Sequence, residues 1–392
     1  MRPWEFQLST RIHFGRGLLR KLGELAAPLG QSALLVGYRA LGRLQESYDR
    51  AAAALKKSGV EVARFAEVEP EPDARLVAQG VEAVRQAGAT LVIGLGGGSV
   101  IDVAKAIALV AASGGDVSQY FLGSPAARPL TASLPMVAVP TTAGTGSEVS
   151  DVAVLTATPS SVKASLYGPA IRPQLAVIDP DLAVGSPPAL TAACGADALG
   201  HAIEACASRR CGPLAALLAG QAVALLSKHL PQAVAQPNDP QPREPLALAA
   251  TLAGMAFTAS SVVAAHAVAQ ALGVFFDLPH GESVAIATPP VLRYNLPACI
   301  EPYCQLAAGC GLTAATPEAL AERFVEHISD LLRRLGLPDS VPVPPDAPAD
   351  LIDRLVQSAL QGARAPLTLN PRRVDAAALA GLFSAIVQRP NV

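Results

Sequence analysis

The sequence predicts an α/β N-terminal domain built on a parallel sheet, followed by an all-α C-terminal domain. Three observations lead there. In the first half, short apolar runs of strand length alternate with amphipathic stretches of helix length, the pattern of βαβ units. After about Ser186 the strand-like runs disappear and Ala/Leu-rich helical periodicity takes over. At 392 residues the chain is also too long for one small core, so a division into 1–185 and 186–392 is expected.

Residues 5–14 read as an extended segment ending at Phe14-Gly15-Arg16-Gly17, with an amphipathic helix after it to about Ala27. Ser32–Gly37 is a short apolar strand, 43–58 a helix and Val60–Val68 a strand. Pro70 and Pro72 punctuate the chain before a helix at 73–87. Thr90–Leu95 is a buried strand, followed by glycines and a helix at 99–112. Pro135–Pro140 continues the sheet, and 151–157 and 174–179 are further strands. Beyond Ser186, helices are expected at 188–208, 213–235, 245–275, 315–336, 348–362 and 374–388, with Pro338–Pro348 as a loop.

Net charge is −2 with no basic block, which argues against nucleic acid and anionic membranes as partners. Six cysteines without a Cys-x-x-Cys pair suit a reducing cytoplasm better than a disulfide framework. The opening Met-Arg-Pro-Trp-Glu-Phe-Gln has no apolar core, so no signal peptide is expected. Leu246–Phe276 has no charged residue over 31 positions, long enough to span a bilayer. Its alanine content, its histidine and glutamine, and the lack of flanking Lys/Arg asymmetry favour two packed helices breaking near Ser260-Ser261.

That run carries His266, and Pro279-His280-Gly281 follows it; upstream lies Asp197-Ala-Leu-Gly-His201. A spacing of four puts Asp197 and His201 on one helix face. An imidazole in an apolar segment is costly without a partner. A carboxylate and three imidazoles suit a divalent transition metal better than calcium or magnesium. The same residues also suit hydrogen-bonded core positions, and spacing alone does not choose between the two.

Gly94-Leu-Gly96-Gly97-Gly98-Ser99 lies between a strand and a helix, where free amides attract phosphate. It also fits a plain tight turn with Ser99 as N-cap. Pro140-Thr-Thr-Ala-Gly-Thr-Gly-Ser-Glu148 ends another strand at the same sheet edge, and the pair favours a nucleotide site.

Together these motifs resemble the iron-containing (group III) alcohol dehydrogenases, within the wider dehydroquinate-synthase-like fold. The resemblance runs through Phe14-Gly15-x-Gly17, Gly96-Gly-Gly-Ser99-x-x-Asp102-x-x-Lys105, Pro140–Glu148 and Asp179-Pro180. It continues in Asp197-Ala-Leu-x-His201-Ala-Ile-Glu204, Leu252-Ala-Gly-Met-Ala-Phe257 and Pro279-His-Gly281.

It implies a Rossmann-like N-terminal domain that binds NAD(P)(H), a helical domain that binds the metal, and reaction in the cleft between. The implied metal ligands are Asp197, His201, His266 and His280, with His266 and His280 essential to catalysis. The implied ion is Fe²⁺, with Zn²⁺ as the alternative. The implied cofactor residues are Gly37, Arg39, Gly96, Gly97, Gly98, Ser99, Asp102, Thr141, Thr142, Thr145 and Lys163. A small alcohol or aldehyde is the implied substrate, and a homodimer or higher homo-oligomer the implied assembly. The alternatives within the fold are a maleylacetate- or glycerol-type reductase and a dehydroquinate-synthase-like lyase.

Two positions depart from the family pattern. Where NAD-preferring members carry an aspartate after the strand at 32–36, this chain has Gly37-Tyr38-Arg39. Arg39 suits a 2′-phosphate, which leans the expectation toward NADP(H). Gln270 stands where many members have a further histidine. Apolar residues near Val152, Phe257 and Phe275-Phe276 are expected to wall the substrate pocket.

Overall fold

Strand-length runs that are apolar at nearly every position are what a sheet covered by helices on each side requires, because successive side chains face opposite layers. The computed structural model describes residues 3–124, 127–157, 162–343 and 347–388. It divides into two compact units, Leu8–Gly185 and Ser186–Val392 with Met1–Gln7.

In the first unit the strands are β1 (Arg11–Phe14), β2 (Ser32–Tyr38), β3 (Glu61–Val68), β4 (Leu91–Gly96), β5 (Met136–Pro140), β6 (Val152–Ala157), β7 (Val162–Tyr167) and β8 (Leu175–Ile178). Six of them form one sheet in the order β1-β8-β5-β4-β2-β3, with every pairing parallel. The helices are α1 (Leu22–Ala26), α2 (Gln45–Lys57), α3 (Arg75–Ala87) and α4 (Gly98–Ser113). Leu34, Val36, Val92, Met136 and Ala138 point into the core with α3 and α4. Their neighbours Ala33, Leu35, Leu91, Ile93, Val137 and Val139 point into the core with α1 and α2. The alternation expected of a doubly covered parallel sheet is therefore present residue by residue.

The expected strand at 151–157 is β6, but it stands outside the main sheet and pairs antiparallel with β7. Six residues of alternation are too few to announce β7 in the sequence. The helix expected up to Ala27 is a 3₁₀ turn (Leu18–Lys21) followed by the short α1.

The second unit holds α5 (Pro188–Ala207), α6 (Pro213–Ala235), α7 (Arg243–Ser260), α8 (Ala264–Phe276), α9 (His280–Asn295), α10 (Ile300–Gly309), α11 (Pro317–Arg334), α12 (Leu351–Gly362), α13 (Arg364–Leu369) and α14 (Ala376–Ile386). Alanine dominates the buried faces, as at Ala192, Ala196, Ala198, Ala202 and Ala205 of α5, so the helix axes can approach closely. The charge-free run breaks where expected: Ser261 has φ +70° and α8 leaves α7 at a bend of 106°. Among the described residues, α6 alone is by itself long and apolar enough to cross a membrane; here Ala219, Ala222, Val223, Leu226 and Leu230 are fully buried. Residues 344–346 of the expected proline-rich loop lie outside the described residues, and Val341–Pro342 pairs with Val387–Gln388. The last expected helix therefore ends at Ile386.

Candidate functional site

Asp197 and His201 stand one turn apart in the middle of α5, whose residues from Gly195 to Ala207 are all buried. His266 lies in the first turn of α8, and His280 is the first residue of α9, behind Pro279. These elements bring four side chains to one point. Asp197 Oδ1 lies 3.7 Å from His201 Nε2, 3.4 Å from His266 Nε2 and 3.4 Å from His280 Nε2. Ligand atoms of Asp197, His201 and His266 all lie within 4.8 Å of one another. The His201 and His266 rings stack at 4.5 Å, and Phe257 stacks on the other partner, His201, also at 4.5 Å. Asp197, His201 and His266 are buried, whereas the His280 side chain is 46% exposed, giving the cluster one open side.

Two glycines allow this approach. A β-carbon at Gly281 would collide with the Ala193 carbonyl of α5, so only glycine lets the first turn of α9 sit there. A β-carbon at Gly200 would meet Val284 of α9 at 2.6 Å and the His266 ring at 3.4 Å.

Glu204, one further turn along α5, is a functional residue that spacing did not assign. Its Oε1 accepts the backbone N–H of Ala265 at 2.6 Å and of His266 at 3.3 Å. Its Oε2 is hydrogen-bonded to His266 Nδ1. Glu204 thus caps the start of α8 and turns His266 Nε2 toward Asp197, the arrangement that orients a metal-binding imidazole. A glutamate inside an apolar helix was the available signal; its partner 62 positions away was not visible in spacing.

The electrostatics agree with a cation site. Burial pushes the Asp197 carboxyl up, but His201, His280 and His266 outweigh it and hold it well below the usual carboxylate range. Burial opposes a charged His266, yet Glu204 and Asp197 carry it up to about 10. Asp197 Oδ1 and His266 Nε2 are buried without a hydrogen-bond partner, which is costly unless something charged meets them. One carboxylate oxygen and three imidazole nitrogens make a donor set that fits a divalent transition metal.

Gln270, one turn after His266, lies with its amide against Gly362 of α12, 3.5 Å from where a β-carbon would stand. Of the expected pocket walls, Phe257 adjoins the cluster. Phe276 packs into the α8–α9 core, Phe275 is 38% exposed, and Val152 uses its carbonyl to accept from Lys105.

In the sheet unit the two glycine-bearing loops meet at the C-terminal ends of β4 and β5. Gly97 is the N-cap of α4, so Ser99 is inside the first turn and not the N-cap that a plain tight turn would use. A β-carbon at Gly97 would meet the Tyr38 hydroxyl at 2.8 Å and Thr142 at 3.3 Å; one at Gly98 would meet Thr145 at 2.6 Å. Gly96 accepts the Thr141 N–H at 3.0 Å. Gly96, Gly97, Gly98, Ser99, Thr141, Thr142 and Thr145 therefore lie together around the start of α4, a place where amides and helix dipole attract an anion.

The remaining expected cofactor residues lie around this loop pair and at the ends of β2 and β7, with the following contacts. Asp102 accepts from Ser147 Oγ at 3.0 Å and from the Val154 N–H at 2.9 Å, fixing the β5–β6 connection. Lys163 is ion-paired with Glu71. Gly37 is required by the Tyr48 ring, which a β-carbon would meet at 2.5 Å. Arg39 is ion-paired to Glu67 and Glu69.

Comparison with known proteins decides the family. The description "Iron-containing alcohol dehydrogenase" matches residues 9–180, and "Fe-containing alcohol dehydrogenase family, C-terminal" matches residues 191–387. The chain belongs to the iron-containing alcohol dehydrogenases. Relatives of this alcohol dehydrogenase include the choline dehydrogenase of Bacillus subtilis (strain 168), 36% identical over 94% of this chain and 92% of that one. The NAD-dependent methanol dehydrogenase of Bacillus methanolicus is 33% identical over 83% of this chain and 85% of its own. The crystal structure of a 1,3-propanediol oxidoreductase superposes with a TM-score of 0.90 at 34% identity, covering 98% of this chain and all of that one. As an iron-containing alcohol dehydrogenase the chain is an oxidoreductase, and its α/β-plus-helical architecture is the family's.

Proposed function

We propose that this enzyme is a metal-dependent, NAD(P)-linked alcohol dehydrogenase and aldehyde reductase acting on a small alcohol or carbonyl. The observation that carries the reading is the single carboxylate oxygen of Asp197 facing three imidazole Nε2 atoms. Asp197, His201, His266 and His280 would hold the ion, iron by family and by donor set, with zinc chemically compatible. Bound there, the ion would polarise the substrate's oxygen, and the nicotinamide would supply the hydride chemistry.

The chain's own residues do the rest. Glu204 keeps the His266 Nδ1 side engaged so that Nε2 faces inward. Phe257 stacks on one face of the His201 ring. The amides from Gly97 to Ser99 would receive the pyrophosphate, with Thr142 and Thr145 beside them. Residues 1–185 would carry the cofactor and 186–392 the metal. Arg39 at the end of β2 tilts the cofactor toward NADP(H) or dual use. Substrates named for the relatives, choline, methanol and 1,3-propanediol, differ in charge and size, so the proposal stops at a small alcohol.

The test is a panel of alcohols and aldehydes with NAD(H) and NADP(H), with and without added Fe²⁺ or Zn²⁺. The reading expects metal-dependent turnover that His266→Ala and His280→Ala abolish while NAD(P)H binding persists. Undiminished turnover in either variant after metal removal contradicts it.

A further inference from the structure

We infer that Glu67 and Glu69 set the balance between NAD(H) and NADP(H) by competing with a 2′-phosphate for Arg39. The inference rests on the proposed cofactor site and deepens it.

The geometry starts at the phosphate cradle. β2 is the immediate neighbour of β4, and Tyr38 at the end of β2 reaches the cradle, its hydroxyl 2.8 Å from where a Gly97 β-carbon would be. Strands lie about 4.8 Å apart, so a dinucleotide with its pyrophosphate on Gly97–Ser99 would bring an adenosine ribose to the end of β2. That is where Arg39 stands.

β3 is shaped to meet it. β2 and β3 pair in register up to Gly37↔Ala66, then Tyr38 pairs with Val68, skipping Glu67. The skipped residue makes a bulge, a device that re-aims a side chain next to a site. The Arg39 N–H continues the ladder to the Val68 carbonyl at 2.9 Å. Glu67 and Glu69, on either side of Val68, then both reach one guanidinium: Arg39 Nε to Glu67 Oε2 at 3.1 Å, and Arg39 Nη1 to Glu69 Oε1 at 2.6 Å. All three side chains are about half exposed, so a ligand can reach them.

Arg39 offers the fork that suits a phosphate, but two carboxylates already occupy it. A 2′-phosphate must displace them and then bear their like charge. A ribose 2′-hydroxyl meets no such repulsion and can donate to a carboxylate. The glutamates therefore disfavour NADP(H) relative to NAD(H), and Arg39 pulls the other way.

The experiment measures kcat/KM for NAD⁺ and NADP⁺ with one alcohol in the wild type, in Glu67→Gln, in Glu69→Gln, in the double glutamate variant and in Arg39→Ala. Removing both carboxylates should raise the NADP⁺/NAD⁺ ratio about tenfold, equivalent to about 1.4 kcal/mol. Arg39→Ala should lower the ratio below the wild-type value. Unchanged ratios in the glutamate variants, single and double, would overturn the inference and leave an ordinary surface ion pair. Dissociation constants for NADH and NADPH, read by nicotinamide fluorescence in the same proteins, keep the two proposals separable. If turnover is absent but the glutamate variants bind NADPH more tightly, the proposed reaction fails and this inference stands.

Discussion

At the scale of single residues, Glu204 shows how a buried acidic side chain is accommodated. A buried carboxylate without partners is costly in an apolar helix bundle; Glu204 is 3% exposed and accepts from two backbone amides and is hydrogen-bonded to the His266 ring. Glu204→Gln preserves the shape but replaces one acceptor oxygen by a donor. It is expected to weaken metal affinity about 10–100-fold, the usual cost of losing such a support, with little change in helix content. Competition against a chromophoric chelator would read this, and wild-type affinity in the variant would contradict it. Lys105 is a second buried titratable side chain, in the sheet unit. It is fully buried in α4, donating to Ser150 Oγ at 3.1 Å and to the Val152 carbonyl at 2.7 Å. Burial lowers its amine to about 8, against the opposing pull of Asp102, Asp151 and Glu148. Between about pH 8 and its ordinary 10.5 the unfolded chain therefore binds more protons than the folded one, so this group makes stability rise with pH across that window. Denaturant unfolding should show wild type gaining on Lys105→Met between pH 8 and pH 10; a constant difference would contradict this. Much of the site was legible at this scale. Asp197 and His201 were marked by their spacing, and His266 by an imidazole in an apolar run. Glu204 was quoted without a role because its partner sits on another helix. Asp102 was marked by its motif, but its bonds from α4 to Ser147 and to the Val154 N–H could not be read from spacing.

At the scale of elements, legibility followed local signal. β2, β4 and β5 are apolar on both faces and were plain as buried strands, and the α7–α8 break was foreshadowed by Ser260-Ser261. α9 was not anticipated, although it presents His280. Its Pro289-Pro290 pair removes two backbone donors and reads as a helix break. Packing overrides it: Val284, Ile286, Ala287 and Val291 are buried in the core shared with α8. The end of this helix is tied to the start of α8 by a pair of buried amides. Asn370 accepts the Ala264 N–H at 3.3 Å and exchanges two hydrogen bonds with Asn295, the last residue of α9. Neither asparagine stands out in the sequence, because their meaning lies in a contact 75 positions apart. The bulge in β3 is hidden for the same reason: register is a property of two strands, and the side chains of Glu67 and Glu69 gain significance only beside Arg39.

At the scale of the molecule, each of the two units gathers one set of polar groups. The sheet unit gathers its glycine and threonine loops at the C-terminal ends of neighbouring strands, where a parallel sheet leaves amides and helix starts open to an anion. The helical unit spends its alanines on close packing, which lets α5, α8 and α9 bring side chains from residues 197 to 280 to a single carboxylate oxygen. The central claim is that this point holds one divalent cation. X-ray absorption on metal-free protein reconstituted with one equivalent of Co²⁺ or Fe²⁺ tests it most directly, with Asp197→Ala and His266→Ala in parallel. The predicted result is an oxygen and nitrogen shell with the outer scattering of several imidazoles, lost in both variants. A wild-type spectrum without imidazole scattering, or one unchanged in the variants, would contradict it.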